Sequence, residues 1–176
     1  MRRDHVVQVD REDNAIGTVE KMEAHRLGVL HRAFSVFIWN SDGQLLIHQR
    51  AADKYHGGGL WTNACCSHPQ ANENVRDAAM ERLSFEMGLA CDVNFAFSFI
   101  YQGAVERGLI EYEFDHVFIG HTDEQPKPNS AEVAAYQWIA VSELADWVAR
   151  SPEAFTIWFV EALPRVLSMM PADIRA

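Results

Sequence analysis

Between His31 and Trp39 the residues alternate in a way that dictates a β-strand, with Phe34, Val36 and Ile38 on one face and Ala33, Ser35 and Phe37 on the other. Asn40-Ser41-Asp42-Gly43 then has the residue types of a turn, and Gln44–Arg50 (QLLIHQR) returns as a second strand, which predicts a β-hairpin. Helical character follows over 72–88: Val75, Ala79 and Leu83 recur at four-residue spacing, Asn72 or Asn74 can cap the start, and Gly88 can end it. Residues 95–104 and 109–122 read as strands joined across Glu106-Arg107-Gly108, and 134–141 as a shorter one. The polar, proline-bearing stretch 122–130 reads as a turn between strands. Ser142 is expected to cap a short helix over 142–150, and Pro152 to open a last helix that Pro164 bends or breaks. Strands first, one helix in the middle and helices at the end predict an α+β sandwich on a mixed sheet. With no internal repeat, the 176 residues fit a single domain, 1–176.

The charge balance limits the partners. With 15 Lys+Arg against 25 Asp+Glu the net charge is −10, which argues against binding a nucleic-acid backbone through a basic surface. The N-terminal MRRDHVV has no apolar run of a signal peptide, and no stretch approaches the roughly 20 apolar residues of a membrane span, so a cytoplasmic protein is expected. Cys65, Cys66 and Cys91 are odd in number and two are adjacent, a poor disulfide framework that fits a reduced compartment and leaves a thiol for chemistry. The lysines are only Lys21, Lys54 and Lys127, so an anionic substrate has to be held largely by Arg, by metal, or by both.

Three segments carry candidate chemistry. In 57–69 (GGGLWTNACCSHP) three glycines let the backbone approach something bulky, and Cys66 and His68, two apart in an extended segment, point to the same side. An isolated Cys65-Cys66 pair is more often two small buried apolar residues; the glycine loop and His68 favour a site. In Glu111-Tyr112-Glu113-Phe114-Asp115 period-two geometry gathers the three acids on one face, which Val117 and Ile119 continue as apolar residues. A solvated outer face would not continue that way, and carboxylates on a partly apolar face need a partner such as a cation. His25 and His31 flank an irregular stretch before the first strand. With His68, Glu111 and Glu113 they offer three imidazoles and two carboxylates, enough for a five- or six-coordinate Mn²⁺, Mg²⁺ or Zn²⁺.

These residues carry a resemblance. Thr18-Val19-Glu20-Lys21, His25, His31-Arg32-Ala33-Phe34-Ser35, Leu60-Trp61-Thr62-Asn63-Ala64-Cys65-Cys66-Ser67-His68-Pro69 and Glu111-Tyr112-Glu113 resemble the type I isopentenyl diphosphate isomerases in order and spacing, from about Val6 to the helix with Trp158. The resemblance implies a Nudix-like α/β/α sandwich with a mixed β-sheet. It departs where the family usually has Pro-Gly before this Trp and the chain has Gly58-Gly59, which softens the loop. Against the Nudix hydrolase pattern the chain keeps Glu73, Leu83, Glu86, Gly88 and Leu89, but has Ser67 for the first Gly, Glu81-Arg82 for Arg-Glu and Phe85 for a metal-binding Glu. Water activation by a metal cluster on this helix is therefore disfavoured.

By resemblance the reaction moves a double bond, interconverting isopentenyl and dimethylallyl diphosphates through a tertiary carbocation, in isoprenoid biosynthesis. Cys66 and Glu113 would be the proton-transferring pair, with Tyr101 near the acid and Trp158 over the cation. Lys21, Arg50, Lys54 and Arg82 would cradle the diphosphate, with Mg²⁺ bridging its oxygens to Glu86 and to the backbone at Cys66. At least four acids, Glu86, Glu111, Glu113 and Glu20 or Asp115, are expected where metal ions offset them. A small prenyl diphosphate is the expected partner, with no nucleic acid or membrane, and the protein is expected as a monomer or weak homodimer. Two alternatives remain: a Nudix-type diphosphate hydrolase, and a noncatalytic metal-binding or redox domain around Cys65, Cys66 and His68.

Overall fold

A computed structural model describes residues 3–171. In chain order its elements are β1 His5–Val9, β2 Ala15–Glu20, α1 Lys21–Leu27, β3 His31–Trp39, β4 Gln44–Arg50, β5 Trp61–Thr62, β6 Cys65–Ser67, α2 Val75–Met87, β7 Val93–Ala104, β8 Ile110–His121, β9 Val133–Ala140, α3 Val141–Arg150 and α4 Ile157–Met169. Among the described residues no helix is long and apolar enough to cross a membrane.

β3 organises the sheet. Along its full length it pairs in parallel with β8, and its other edge is shared by β1 at Gln8–His31, β6 at Phe34–Val36 and β4 at Trp39–Leu45. The expected β3–β4 hairpin therefore meets only at its turn. Beyond it β4 diverges to pair with β5 and β9, and the 61–67 segment fills the gap, β5 on β4 and β6 on β3. The splay leaves room on the open edge of β3 for the Cys66 segment.

Alternation sorts the core as the sequence implies. Phe37, Leu45, Ile47 and Val117 meet Phe159, Leu163 and Val166 of α4 on one face, while Phe34, Val36, Ile38 and Leu46 meet Ala78, Ala79, Leu83 and Met87 of α2 on the other. The result is an α/β/α sandwich on a mixed sheet. Adjacent Cys65 and Cys66 consequently belong to opposite layers, Cys65 to the α2 side and Cys66 against the α4 side.

Helix ends are set locally. Asn74 caps α2 by accepting from Asp77 N at 3.2 Å, and Gly88 closes it at φ 65°, where a Cβ would stand 2.6 Å from the Lys127 carbonyl oxygen. The polar 122–132 loop donates Lys127 N–H to Met87 O and Asn129 N–H to Glu86 O, satisfying carbonyls at that end.

Four local expectations are corrected. His25 lies within α1, which Glu20 caps through its carboxylate and Gly28 ends at φ 66°, rather than beside an irregular stretch. Glu20 is thereby committed to backbone donors and not to a metal group. Ser142 sits inside the first turn of α3, whose N-cap is Ala140. Pro152 opens only a 3₁₀ turn, Pro152–Ala154, and α4 continues through Pro164. Burial of Trp158, Phe159, Ala162, Leu163 and Val166 holds α4 to the sheet on both sides of the proline.

His48 of β4 is 2% exposed, and burial, with help from the Arg50 charge, pushes its pKa down to about 3 from 6.5. The folded chain keeps this ring neutral where the unfolded chain takes up a proton, so stability falls as pH drops through 6.5. Urea unfolding is expected to show the wild type losing about 2 kcal/mol more than His48→Gln between pH 7 and pH 5. Equal losses would mean that His48 titrates freely in the folded protein.

Candidate active site

Strand register brings the chemistry together. The parallel β3–β8 ladder sets His31 beside Glu113, and the antiparallel β7–β8 ladder sets Tyr101 beside the same residue. Residues opposed across a ladder share a face, so His31, Tyr101 and Glu113 project together, with Glu111 two residues along. Ser35, four residues from His31, opposes Cys66, which places that thiol on the same face. Glu111 and Asp115 are fully buried and Glu113 nearly so, which excludes the solvated outer face.

His25 Nδ1 lies 2.6 Å from the Lys21 carbonyl oxygen and His31 Nδ1 2.8 Å from that of Val29. A carbonyl only accepts, so each Nδ1 carries a proton, and in the neutral form of either ring the lone pair is on Nε2, which faces inward. There His25 Nε2 stands 3.2 Å from Glu111 Oε1 and His31 Nε2 3.4 Å from Glu113 Oε1, and among the described residues neither makes a hydrogen bond. His68 Nε2 is 2.9 Å from Glu113 Oε1. Neither oxygen of Glu111 accepts a hydrogen bond among the described residues. A buried carboxylate in that condition needs a cation. Donor atoms of His25, His31, His68 and Glu113 lie within 4.8 Å of one another, a set that fits a divalent metal, with Glu111 in contact through His25.

Contacts with the imidazoles shape the carboxyls. Burial opposes ionisation of Glu113, but contacts with His31 and His68 outweigh it and hold the group well below its usual range. Burial and the Glu113 charge oppose ionisation of Glu111, and contacts with His25 and His56 reverse the balance. Burial pushes His68 down to about 4. The second oxygen of Glu113, Oε2, accepts from the Tyr101 hydroxyl at 2.5 Å. Asp115, one step along this face, accepts from Ser35 Oγ at 2.7 Å, and burial followed by the Glu113 charge pushes its carboxyl well up. Asp115 is thus shifted toward its neutral form and belongs to neither of the His/Glu donor sets.

A cleft of about 640 Å³ runs past this cluster, bordered by Cys66, His68, Glu113 and Trp158 and by Lys21, Arg50, Lys54, Arg82 and Glu86. His25, His31, Glu111 and Tyr101 do not border it themselves. Burial pushes the Cys66 thiol up to about 12, against the pull of the Arg50 guanidinium, whose Nη1 is 3.6 Å from Sγ. At neutral pH Cys66 is a thiol. The Trp158 ring is 5% exposed, stands 5.4 Å from the Arg50 guanidinium carbon, and donates Nε1–H to Asn63 Oδ1 at 3.2 Å. Asn63 in turn donates to Val36 O and Cys65 O, and Thr62 Oγ1 is 2.9 Å from Thr156 Oγ1. Thr62 and Asn63 thus tie the cysteine strand to β3 and to the base of α4. Trp61, in the same motif, faces Trp147 instead of the cleft.

At the basic end Arg82 holds Glu86 Oε1 at 2.7 and 3.2 Å and lies 3.8 Å from Glu132, while Lys54 pairs with Glu132. Phe85 places its ring 4.5 Å from the Arg82 guanidinium carbon. Cys65 Sγ, in the opposite layer, reaches Glu86 Oε2 at 3.6 Å. Lys21 stands 4.8 Å over the Tyr55 ring, and burial together with the Lys54 charge lowers its pKa.

Of the site residues expected from the sequence, Cys66, His68, Glu86, Glu113, Trp158 and the four basic residues border this cleft, while His25, His31, Glu111 and Tyr101 lie in the cluster it runs past. Three others escaped. His56 packs against Glu111 and is 4% exposed; its place beside the glycine run was the available signal. Glu132 joins the basic residues from the loop before β9, and Asn63 acts through hydrogen bonds that a motif does not display.

Comparison with known proteins agrees with this geometry. The NUDIX domain family matches residues 29–159. The chain is 47% identical over 165 residues, 94% of its length and 87% of the relative's, to isopentenyl-diphosphate Delta-isomerase 2 of Aromatoleum aromaticum. It is 48% identical to isopentenyl-diphosphate Delta-isomerase of Burkholderia multivorans over 89% of each chain. Among solved structures it superposes on DR0079 from Deinococcus radiodurans with TM-score 0.76 and 20% identity, covering 92% of this chain and 98% of that one. A MutT NUDIX hydrolase from Burkholderia pseudomallei gives TM-score 0.63 at 20% identity over 78% and 98%. The fold is shared with hydrolases, whereas identity at this level across nearly the whole length is found with isomerases: the chain belongs to the isopentenyl-diphosphate Delta-isomerase family of NUDIX-domain proteins.

Proposed function

We propose that the cleft binds isopentenyl diphosphate and converts it to dimethylallyl diphosphate, with Cys66 and Glu113 exchanging protons with the substrate carbons. The observation that carries this reading is the meeting of a half-buried thiol and a buried carboxylate on one cleft whose other end is basic. An unactivated alkene is a weak base, so its protonation needs a positioned acid, and loss of a proton from C2 needs a positioned base. Glu113 is placed to exchange a proton because it borders the cleft, with Oε1 toward His31 and His68 and Oε2 accepting from the Tyr101 hydroxyl. Cys66 is suited because its proton is retained at neutral pH and Arg50 lies beside the sulfur.

The tertiary carbocation between the two steps would lie against Trp158, whose ring face offers about 0.5–2 kcal/mol in cation–π contact. Asn63 holds the indole in place. Burial of Glu113 and of the Trp158 ring would limit water at the cation. Lys21, Arg50, Lys54 and Arg82 would hold the diphosphate, with Lys54 and Arg82 exchanging their Glu132 contacts for phosphate oxygens. His25, His31, His68, Glu111 and Glu113 would hold one divalent ion, Mn²⁺, Mg²⁺ or Zn²⁺, and Glu86 with the Cys66 backbone would hold a Mg²⁺ shared with the diphosphate. These ions would supply positive charge that offsets the buried carboxylates and the phosphates.

The test is incubation with isopentenyl diphosphate and Mg²⁺ in deuterated water. Label is expected in a methyl group of dimethylallyl diphosphate and, through the reverse reaction, at C2. Orthophosphate without isomer would point to a hydrolase; no product of either kind would leave only a noncatalytic metal or redox domain.

A further inference from the structure

His56 belongs to none of the groups so far given a role, yet its surroundings are those of a ligand. The ring is 4% exposed, its Nε2 faces Glu111 Oε1, and its centroid is 5.5 Å from that of His25. Donor atoms of His25, His56 and Glu111 lie within 4.8 Å of one another, as do those of His25, His31, His68 and Glu113, so the two sets share His25. Glu111, buried with no hydrogen bond to either oxygen among the described residues, stands between His25 and His56 as Glu113 stands between His31 and His68.

The backbone is fastened to keep this ring in place. The His56 carbonyl accepts from Arg50 Nη2 at 3.1 Å, and Gly57 N–H donates to Glu106 Oε1 at 2.7 Å. Gly57 adopts φ 62°, and a Cβ there would stand 3.2 Å from Arg50 Nε. Across the ring, Trp158 packs edge-on at 5.7 Å between centroids.

We propose that His56 is a sixth protein ligand of the divalent ion, so that the 54–59 loop, with Lys54 of the phosphate cradle, is fastened through the metal centre. The proposal rests on the reading of the His/Glu cluster as a metal site. Four imidazoles and two carboxylates would complete a six-coordinate shell and leave no position for water. Metal binding would then order the loop that carries Lys54 and Tyr55, and diphosphate binding would in turn tighten the metal, since such coupling is reciprocal.

The experiment uses the full chain with nitrogen-labelled histidine, stripped by chelator and titrated with Cd²⁺, a diamagnetic ion that accepts six ligands. Long-range proton–nitrogen spectra are expected to show the His25, His31, His56 and His68 rings moving together to metal-bound shifts. In His56→Gln three rings move, and Cd²⁺ affinity measured by chelator competition falls about ten-fold or more. Amide exchange in residues 55–59 is expected to slow on adding Cd²⁺ to the wild type and to be unchanged in the variant. A His56 ring that keeps its metal-free shift while the other three move overturns the proposal and leaves the metal site standing. If no histidine responds in the wild type, the metal-site reading itself fails, and the proposal with it. The wild-type spectrum decides on its own, whether or not the variant folds.

Discussion

Replacing Cys66 with alanine is expected to lower kcat by roughly 10²–10⁴-fold, the range of a lost general acid or base, while Cys65→Ala keeps kcat within a few-fold of the wild type. The two thiols are neighbours in sequence and separated by the sheet. Cys66 borders the cleft beside Arg50; Cys65 is fully buried among α2 residues, where burial keeps it protonated and its Sγ faces Glu86. Removing the Cys65 sulfur leaves a small void and a weakened contact to Glu86, a cost of about 1 kcal/mol in stability. Thermal unfolding and steady-state kinetics on both variants separate these effects. If Cys65→Ala proves as inactive as Cys66→Ala, the wrong thiol has been assigned to the chemistry.

Glu113→Gln is expected to lose turnover by at least a comparable factor and, unlike Cys66→Ala, to lose divalent metal as well. The substitution preserves shape and an acceptor for Tyr101 while removing the charge that His31 and His68 contact. Glu111→Gln supplies the contrast. Glu111 touches His25 and His56 and does not border the cleft, so its variant should bind metal about ten-fold more weakly yet recover much of its kcat in excess metal. Glu113→Gln should not recover. Metal content after dialysis, read with kcat across a metal titration, distinguishes the two. Recovery of Glu113→Gln by metal would reduce Glu113 to an anchor and remove it from proton transfer.

The strands and the middle helix are legible because each rests on a local period. Asn74 and Gly88 bound α2 where capping chemistry places them, and Phe37 and Phe34 part to opposite layers as alternation requires. Local rules failed where neighbours intervene. The turn at 40–43 forms, yet β3 and β4 separate because the 61–67 segment takes their inner edges. Pro164 does not break α4 because packing on the sheet outweighs one missing hydrogen bond.

The candidate site divides in the same way. Period-two geometry makes Glu111, Glu113 and Asp115 one face, and the two-residue step makes Cys66 and His68 companions; both follow from backbone geometry and need no fold. Whether that face is dry depends on β7, β3 and the helices around it, and so does the division of labour among the three acids. Register places His31 and Tyr101 on either side of Glu113, burial and the Glu113 charge push the Asp115 carboxyl up while Ser35 donates to it, and the glycine loop carries His56 to Glu111 from a distant part of the chain. Sequence alone settles what lies within two to four residues, because backbone geometry acts over that range. Burial and the meeting of distant side chains are settled by strand pairing and packing, which no local spacing encodes.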